Sequence, residues 1–356
     1  MMQYRIAVVP GDGIGHEIVP AGLRVLEAAA ARHGFVLATQ AFPWGAGYYK
    51  ACGAFMADGA LDTLRAFDAI YFGAVGLPDV DDTLPAKLYT FKIRKAFQQY
   101  VNYRPARLLP GIEGPLRNKG PQDVDFVVVR ENTEGEFTQA GSLVMPETAE
   151  GMAIETSIFT RRGIERVAQY AFRLARRRRK KVTNVTKSNT LIHSLLYWDR
   201  VVEEVGQEYP DVAYQKMYVD NAAATFVLRP ETFDVILTTN FIGDILSDLG
   251  GAIMGSLGLG PSGNINPEKE YPSMFEPIHG SAPDIAGRGI ANPIGAIWSG
   301  AIMLEHLGEQ TAADAIVRAI ETTVKQGTLT VDLGGSATTD EVADAVVDNL
   351  ATGRGE

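Results

Sequence analysis

Cysteine is almost absent from this chain. Cys52 is the only one in 356 residues, so no intrachain disulfide framework can form, and the composition fits a reducing compartment. No apolar run approaches the roughly 20 residues that span a bilayer. The N-terminal MMQYR passes straight into the strand-like IAVVP, without the charged and then apolar pattern of a secretory leader. Together these absences predict a cytoplasmic protein with no membrane partner. Surplus positive charge is missing too: 33 Lys and Arg stand against 43 Asp and Glu, a formal net charge of -10. That balance argues against bulk binding to nucleic acid, while local arginine clusters can still hold small acids. Internal repeats and low-complexity linkers are also lacking. What remains is a 46% hydrophobic, 21% charged chain with the proportions of a globular enzyme. It is longer than one core usually supports, so two domains, or one with another inserted, are expected.

Strand-like and helix-like segments alternate along most of the sequence. IAVVP leads into the helical HEIVPAGLRVLEAAAARHG, followed by FVLATQAF, a short helix around DGALDTLRAF, and DAIYFGAV. Later come VDFVVVREN, TRRGIERVAQYAFRLARR, KVTNVTKSN, LLYWDRVVEEVGQEY, TFDVILTTN and GDILSDLGGAIMGSLG. Such alternation predicts mostly parallel sheets with helices on their faces. GEFTQAGSLVMPETAEGMAIETSIF breaks the rhythm; its alternation and turn residues predict an antiparallel arm of the kind subunits exchange. The basic run ARRRRKK, residues 175–181, reads as a solvated helix end.

PGDGIGHE, residues 10–17, has G-x-G-x-G spacing rather than the G-x-G-x-x-G dinucleotide fingerprint, and no acidic residue follows at a strand end where that fingerprint requires one. Its glycines fit either a bare turn or a backbone approach to a ligand. Arg94 and Arg104 lie ten apart in FKIRKAFQQYVNYRP, and Arg130 ends the buried-looking run FVVV. Singly each suits a surface. Converging on one pocket, three guanidinium forks suit a substrate with two carboxylates. Asp244 and Asp248 are four apart near the expected start of a helix, and Asp220 ends the strand-like KMYV. Such carboxylates either answer the helix dipole or hold Mg2+ or Mn2+. Lys187, at another strand end, is a candidate proton carrier if metal and arginines depress its pKa. FEPIHGSAPDIAGRGIANP, residues 275–293, reads as an ordered small-residue loop able to lie against a flat ligand, with Asp284 placed to hold a ribose diol. Asn292 near the cap and Pro293 at the first helical position then open a helix.

The order PGDGIGHE, IRKAFQQYVNYRP, RENTEGEF, TKSN, YVDNAAA, GDILSD and EPIHGSAPDIAGRGIANP resembles the β-decarboxylating dehydrogenases, the isocitrate and 3-isopropylmalate dehydrogenase family, over essentially the whole chain. The tartrate and D-malate branch is the most similar. The resemblance implies an α/β fold of two domains with mostly parallel sheets: residues 1–100 and 256–356 bind the nucleotide, and residues 101–255 carry substrate and dimer contacts. An arm around 135–158 would complete a homodimer whose active sites are shared across subunits. Carried over position by position, Arg94, Arg104 and Arg130 match the carboxylate clamp. Asp244 and Asp248 match metal ligands of one subunit, and Asp220 the ligand donated by the other. Lys187 matches the proton-transfer lysine, also donated across the dimer, and Asn189 a residue near the nicotinamide. His279, Gly280, Ala282, Ile285 and Asn292 match adenosine contacts, with Ile14, Glu276 and Ser281 in the same cofactor-facing set. Asp284 followed by Ile285 matches the NAD-preferring form.

The implied reaction oxidises the C2 hydroxyl of a hydroxy diacid, passes hydride to NAD, releases CO2 from the β-keto acid and protonates C3. A divalent cation and NAD are the implied cofactors, with K+ as an accessory. Thr90 and Phe91 stand where the family faces the C3 substituent, and the Thr90 hydroxyl suits a small polar group such as the second hydroxyl of tartrate, or the hydrogen of D-malate. The family pattern places a tyrosine seven residues after the clamp arginine, the usual proton donor to C3. This chain has Phe137 there. Alternative readings are 3-isopropylmalate oxidation, a redox-neutral NAD-assisted decarboxylation of a dihydroxy diacid, and a non-catalytic subunit; the last is disfavoured because the metal, lysine and arginine positions are all filled.

Overall fold

A computed structural model of the chain describes residues 2–352. Its centre is one sheet of ten strands rather than separate sheets. At one side, β1 (Met2–Gly11) lies parallel between β2 (Phe35–Ala41) and β3 (Ala69–Ala74). The buried stretch Ile6–Val9 needs cover on both faces, as central parallel strands do. The helix Gly15–His33 supplies one cover and ends at Gly34, whose left-handed backbone suits glycine.

Toward the middle the strand directions change. β4 (Val101–Arg107) runs antiparallel to both β5 (Asp125–Glu131) and β11 (Pro261–Ile265), and β11 is antiparallel to β12 (Ser273–Pro277), which returns parallel beside β3. Beyond β5 the order continues through β10 (Val235–Thr238), β8 (Lys181–Thr186) and β9 (Ala213–Tyr218), all parallel. The β4/β11 seam thus joins five strands from the chain ends to five from its middle.

The irregular segment forms an antiparallel hairpin of β6 (Gly135–Val144) and β7 (Met152–Ile158), apart from the large sheet. Every residue of β7 is exposed, including Met152, Ile154 and Ile158. Three sequence expectations shift in detail. The helix carrying Asp244 and Asp248 starts earlier, at Asn240, which moves both carboxylates past its first turn, where the dipole's pull is concentrated. Pro293 is the cap of the helix Ile294–Leu307 rather than its first residue, and Asn292 Oδ1 accepts the Ile294 N–H at 3.0 Å. The basic run is largely neutralised: Arg176 pairs with Asp211, Arg178 with Asp125 and the buried Asp234, and Arg179 with Asp125.

Candidate active site

In open α/β sheets ligands gather beyond the carboxyl ends of parallel strands. Those ends carry Arg130 on β5, Asn240 just after β10, Lys187 just after β8 and Asp220 just after β9. Asp220 itself opens the helix Val219–Leu228 instead of closing a strand.

The three arginines converge. Arg130, 2% exposed, donates from Nε and Nη2 to Asn240 Oδ1 at 2.9 and 2.7 Å, and from Nη1 to Asp244 Oδ1. Arg104 projects from β4 to the Ser247 hydroxyl at 2.7 Å, Asp248 at 3.3 Å and the same Asp244 oxygen at 3.6 Å. Arg94, on the short helix Phe91–Ala96, donates to Glu276 at 3.0 Å. The Nε atoms of Arg94 and Arg104 are buried with no partner among the described residues, donors still available to an anion. Burial presses the Arg130 guanidinium down to about 9, against the pull of Asp244, so it stays cationic at neutral pH. Burial likewise lowers Arg104 and raises the Asp248 carboxyl.

Three phenyl rings wall this cluster. Phe137 stacks on Phe91 at 6.0 Å between centroids, meets Phe241 edge-on at 5.9 Å, and lies under the Arg130 guanidinium at 5.6 Å. Thr90, buried, precedes Phe91 at the end of a single π-helical turn.

Lys187 stands apart. Its ammonium is 2.7 Å from Asp220 Oδ1, and this pair makes no contact with the arginines. The Lys187 partner holds the Asp220 carboxyl below its usual range. Asn189 beside it is exposed. Asp244 and Asp248 each keep one carboxylate oxygen outside the arginine contacts, a hard donor pair suited to a divalent cation. Among the described residues, however, no three His, Cys, Asp or Glu side chains gather to hold a metal ion.

Of the expected cofactor residues, Ile14 and Ser281 meet at the turn after β1. A Cβ on Gly13, whose φ is +57°, would collide with the Ser281 carbonyl, and the Ile14 N–H donates to that oxygen at 2.9 Å. The glycines thus admit a protein loop. Asp12 fixes the other side by accepting N–H groups of Ala46, Gly47 and Gly76 at 2.7, 2.8 and 3.1 Å. Glu17 ties down Gly289 at 2.8 Å, and Gly287 as well. Ala282 adopts φ +39°, while Gly280 and Asp284 are exposed and Ile285 is half-buried. His279 Nε2 is a buried ring nitrogen with no partner among the described residues, and burial lowers the imidazole's pKa, so the ring is neutral and free to meet a ligand. The Asn292 amide is engaged at both ends, by Ile294 and Asp332, and shapes the loop. Glu276 joins the arginine cluster through Arg94 and accepts from Asn264 at 2.7 Å.

Sequence reasoning missed Asn240, Ser247 and Asn132, which aim the arginines; Asn132 Oδ1 lies 3.5 Å from Arg94. The one available signal was Asn240's place at the end of β10, the strand-end address that singled out Lys187. Glu131, Glu134 and Glu136, to which the sequence gives no role, are structural. Buried Glu131 folds the turn by accepting the Thr133 and Glu134 N–H groups at 2.9 and 2.8 Å. Glu134 holds the Thr160 cap of the helix Arg161–Arg176. Glu136 accepts the Thr239 hydroxyl at 2.8 Å and the Phe241 N–H at 3.1 Å.

A clamp of arginines beside a carboxylate pair, with a small-residue loop nearby, is the arrangement of an α/β enzyme that handles a small acid. Residues 5–346 match the family Isocitrate/isopropylmalate dehydrogenase, and the chain belongs to that family. It is 50% identical over 353 residues to a probable tartrate dehydrogenase/decarboxylase of Agrobacterium vitis, covering 99% of each chain. It is also 50% identical to the decarboxylating D-malate dehydrogenase of Escherichia coli K12, covering 97% of this chain and 98% of that one. The crystal structure of isocitrate dehydrogenase from Methylococcus capsulatus superposes with a TM-score of 0.86 at 36% identity, covering 98% and 99%. Enzymes of this family generally use NAD and a divalent metal, and they are commonly dimeric.

Proposed function

We propose that the protein oxidises the C2 hydroxyl of a small 2-hydroxy diacid such as tartrate or D-malate with NAD and Mg2+ or Mn2+, with or without loss of CO2. The observation that carries this reading is the convergence of Arg94, Arg104 and Arg130 beside Asp244 and Asp248. A substrate carboxylate has the charge and fork geometry to take the guanidinium donors that these side chains now share. Thr90 and the three rings would face C3, where a hydroxyl beside aromatic walls suits hydrogen or hydroxyl better than an isopropyl tail. Asp244 and Asp248, joined by Asp220 of a second copy, would hold the divalent cation; bound there, it supplies Lewis-acid polarisation of the C2 oxygen while the nicotinamide accepts hydride. Residues 14, 276, 279–282, 284, 285 and 292 would shape the NAD side, Asp284 favouring an unphosphorylated ribose, and K+ would assist.

Lys187 would carry protons in the neighbouring subunit's site, where Asp220 travels with it. The homodimer this requires draws support from the apolar β6/β7 arm, with Leu143 68% exposed, and from exposed Leu228, Phe241 and Ile245 on the helices beside it. The domain division would fall at the β4/β11 seam, with residues 1–100 and 256–356 on one side and 101–255 on the other. Phe137 gives the wall no hydroxyl, so proton delivery to C3 passes to Lys187 or water.

The test is NADH formation with Mn2+ across D-malate, the tartrate isomers, isocitrate and 3-isopropylmalate, with CO2 measured in parallel. Highest kcat/KM on a C4 hydroxy diacid is the expected result; preference for 3-isopropylmalate, or CO2 without accumulating NADH, would replace this reading with one of its alternatives.

A further inference from the structure

Successive residues of a strand face opposite sides of a sheet. On β4, Arg104 points into the clamp, so Tyr103 faces the other way, into a cavity of about 260 Å³ behind the active site. That is smaller than the roughly 300–1,000 Å³ pockets that take drug-sized ligands, a size for a small metabolite. The cavity straddles the seam of the sheet. Tyr170 and Arg177 come from the helix Arg161–Arg176 and its C-terminal cap, which packs on β5, β8 and β10. Glu305 and His306 come from the helix Ile294–Leu307, which packs on β11 and β12, and Lys269 comes from the turn between those two strands.

The polar groups here are unused. Of the four consecutive arginines 176–179, only Arg177 has no carboxylate partner among the described residues. Glu305 and Lys269 make no side-chain ion pair or hydrogen bond there, and neither do the hydroxyls of half-buried Tyr103 and Tyr170. Burial pushes the Tyr103 phenol up to about 12 and Tyr170 higher still, so both remain neutral donors. His306, pressed to about 4 by burial and then by Lys269, is neutral and hydrogen-bonded to Ser273 at 3.1 Å. The fixed charges are therefore two cations and one carboxylate.

We propose that this rear cavity binds an acidic amino acid, its two carboxylates meeting Arg177 and Lys269 with help from the tyrosine hydroxyls, and its ammonium meeting Glu305. The ligand's two negative charges and one positive charge are the inverse of the site's. Because it bridges helices packed on opposite sides of the seam, with Tyr103 adjacent to Arg104 in the chain, it sets the angle between the halves of the clamp and so tunes substrate affinity. The inference holds whichever hydroxy acid the front site takes.

Titration calorimetry of the full chain with L-aspartate and with L-glutamate tests it. One saturable site is expected, weakened at least about tenfold in both Arg177→Gln and Glu305→Gln. Succinate, which lacks the ammonium, should bind more weakly and lose nothing further in Glu305→Gln. In the NADH assay the amino acid should change KM for the hydroxy diacid in the wild type and leave it unchanged in either variant. Both positions are exposed, so an unaltered melting temperature certifies the folds. Absence of saturable binding to about 10 mM, or binding indifferent to both substitutions, overturns the proposal. So does binding that Arg130→Gln abolishes and Arg177→Gln spares, which would locate the amino acid in the clamp.

Discussion

The arginine cluster and the Lys187–Asp220 pair sit at neighbouring strand ends of one sheet and are built in opposite ways. Arg130 is enclosed, aimed by Asn240, and neutralised by Asp244. Lys187 is half-buried, Asp220 is exposed, and their side chains have only each other. A group embedded in its own chain is finished when that chain folds. One that leans into solvent is open to what arrives there, so the proposed chemistry divides into a half the monomer completes and a half offered to a second copy.

Disrupting the enclosed half should have the largest effect. Arg130→Gln leaves Asp244 without its buried partner and removes the carboxylate fork, and kcat/KM should fall on the order of a thousandfold, roughly 4 kcal/mol. Arg130→Lys should recover little of it in the same assay, because an ammonium cannot reproduce the bidentate geometry. The donated half is tested by mixing. Arg130→Gln and Lys187→Met should each be nearly inactive, yet co-refolded in equal amounts they should regain about a quarter of wild-type activity, since half the dimers then hold one intact site of two. A mixture as inactive as its parents would return Lys187 to its own subunit's chemistry.

A smaller effect concerns Glu131, next to Arg130 and equally enclosed. Burial raises its carboxyl from 4.5 to about 6, despite the N–H groups it accepts. A raised folded-state pKa stabilises the protonated fold. That contribution is complete below about pH 4.5 and is lost as pH rises through about 6, a swing of about 2 kcal/mol. The wild type should therefore lose stability relative to Glu131→Gln across that window in denaturant titrations, and a pH-independent difference would show the carboxyl is not so perturbed. Smallest is Phe137→Tyr: NADH formation should stay within about twofold while the CO2-to-NADH ratio rises on D-malate. Equal ratios would remove the ring from any account of the decarboxylation step.

Much of this was legible because the periodic signal is strong. Ile6–Val9 and Phe126–Val129 are unbroken apolar runs, which suit strands buried on both faces, and the amphipathic 161–176 segment suits a surface helix. The arginines were found as a set because each sits in a motif of the family the chain resembles; singly, each suits a surface. Asn240 was not, because a lone Asn after a strand carries no spacing pattern and acquires meaning only when Arg130 lies across from it. The single sheet escaped notice for a related reason. Pairing of β4 with β11 joins residues about 160 positions apart, as in Asn102↔Asn264, and nothing local in either strand announces its partner. The glutamates of RENTEGEF look like a crowd of acids and are three separate fasteners, a distinction made by which N–H each one reaches.

One of those fasteners links the hairpin to the candidate metal ligands. Glu136 belongs to the arm and grips the first turn of the helix that carries Asp244 and Asp248. A tug on the arm is thereby a tug on the helix that would present the metal's oxygen donors. Glu136 thus acts as a coupling pin, through which a displacement of the hairpin is carried into that helix.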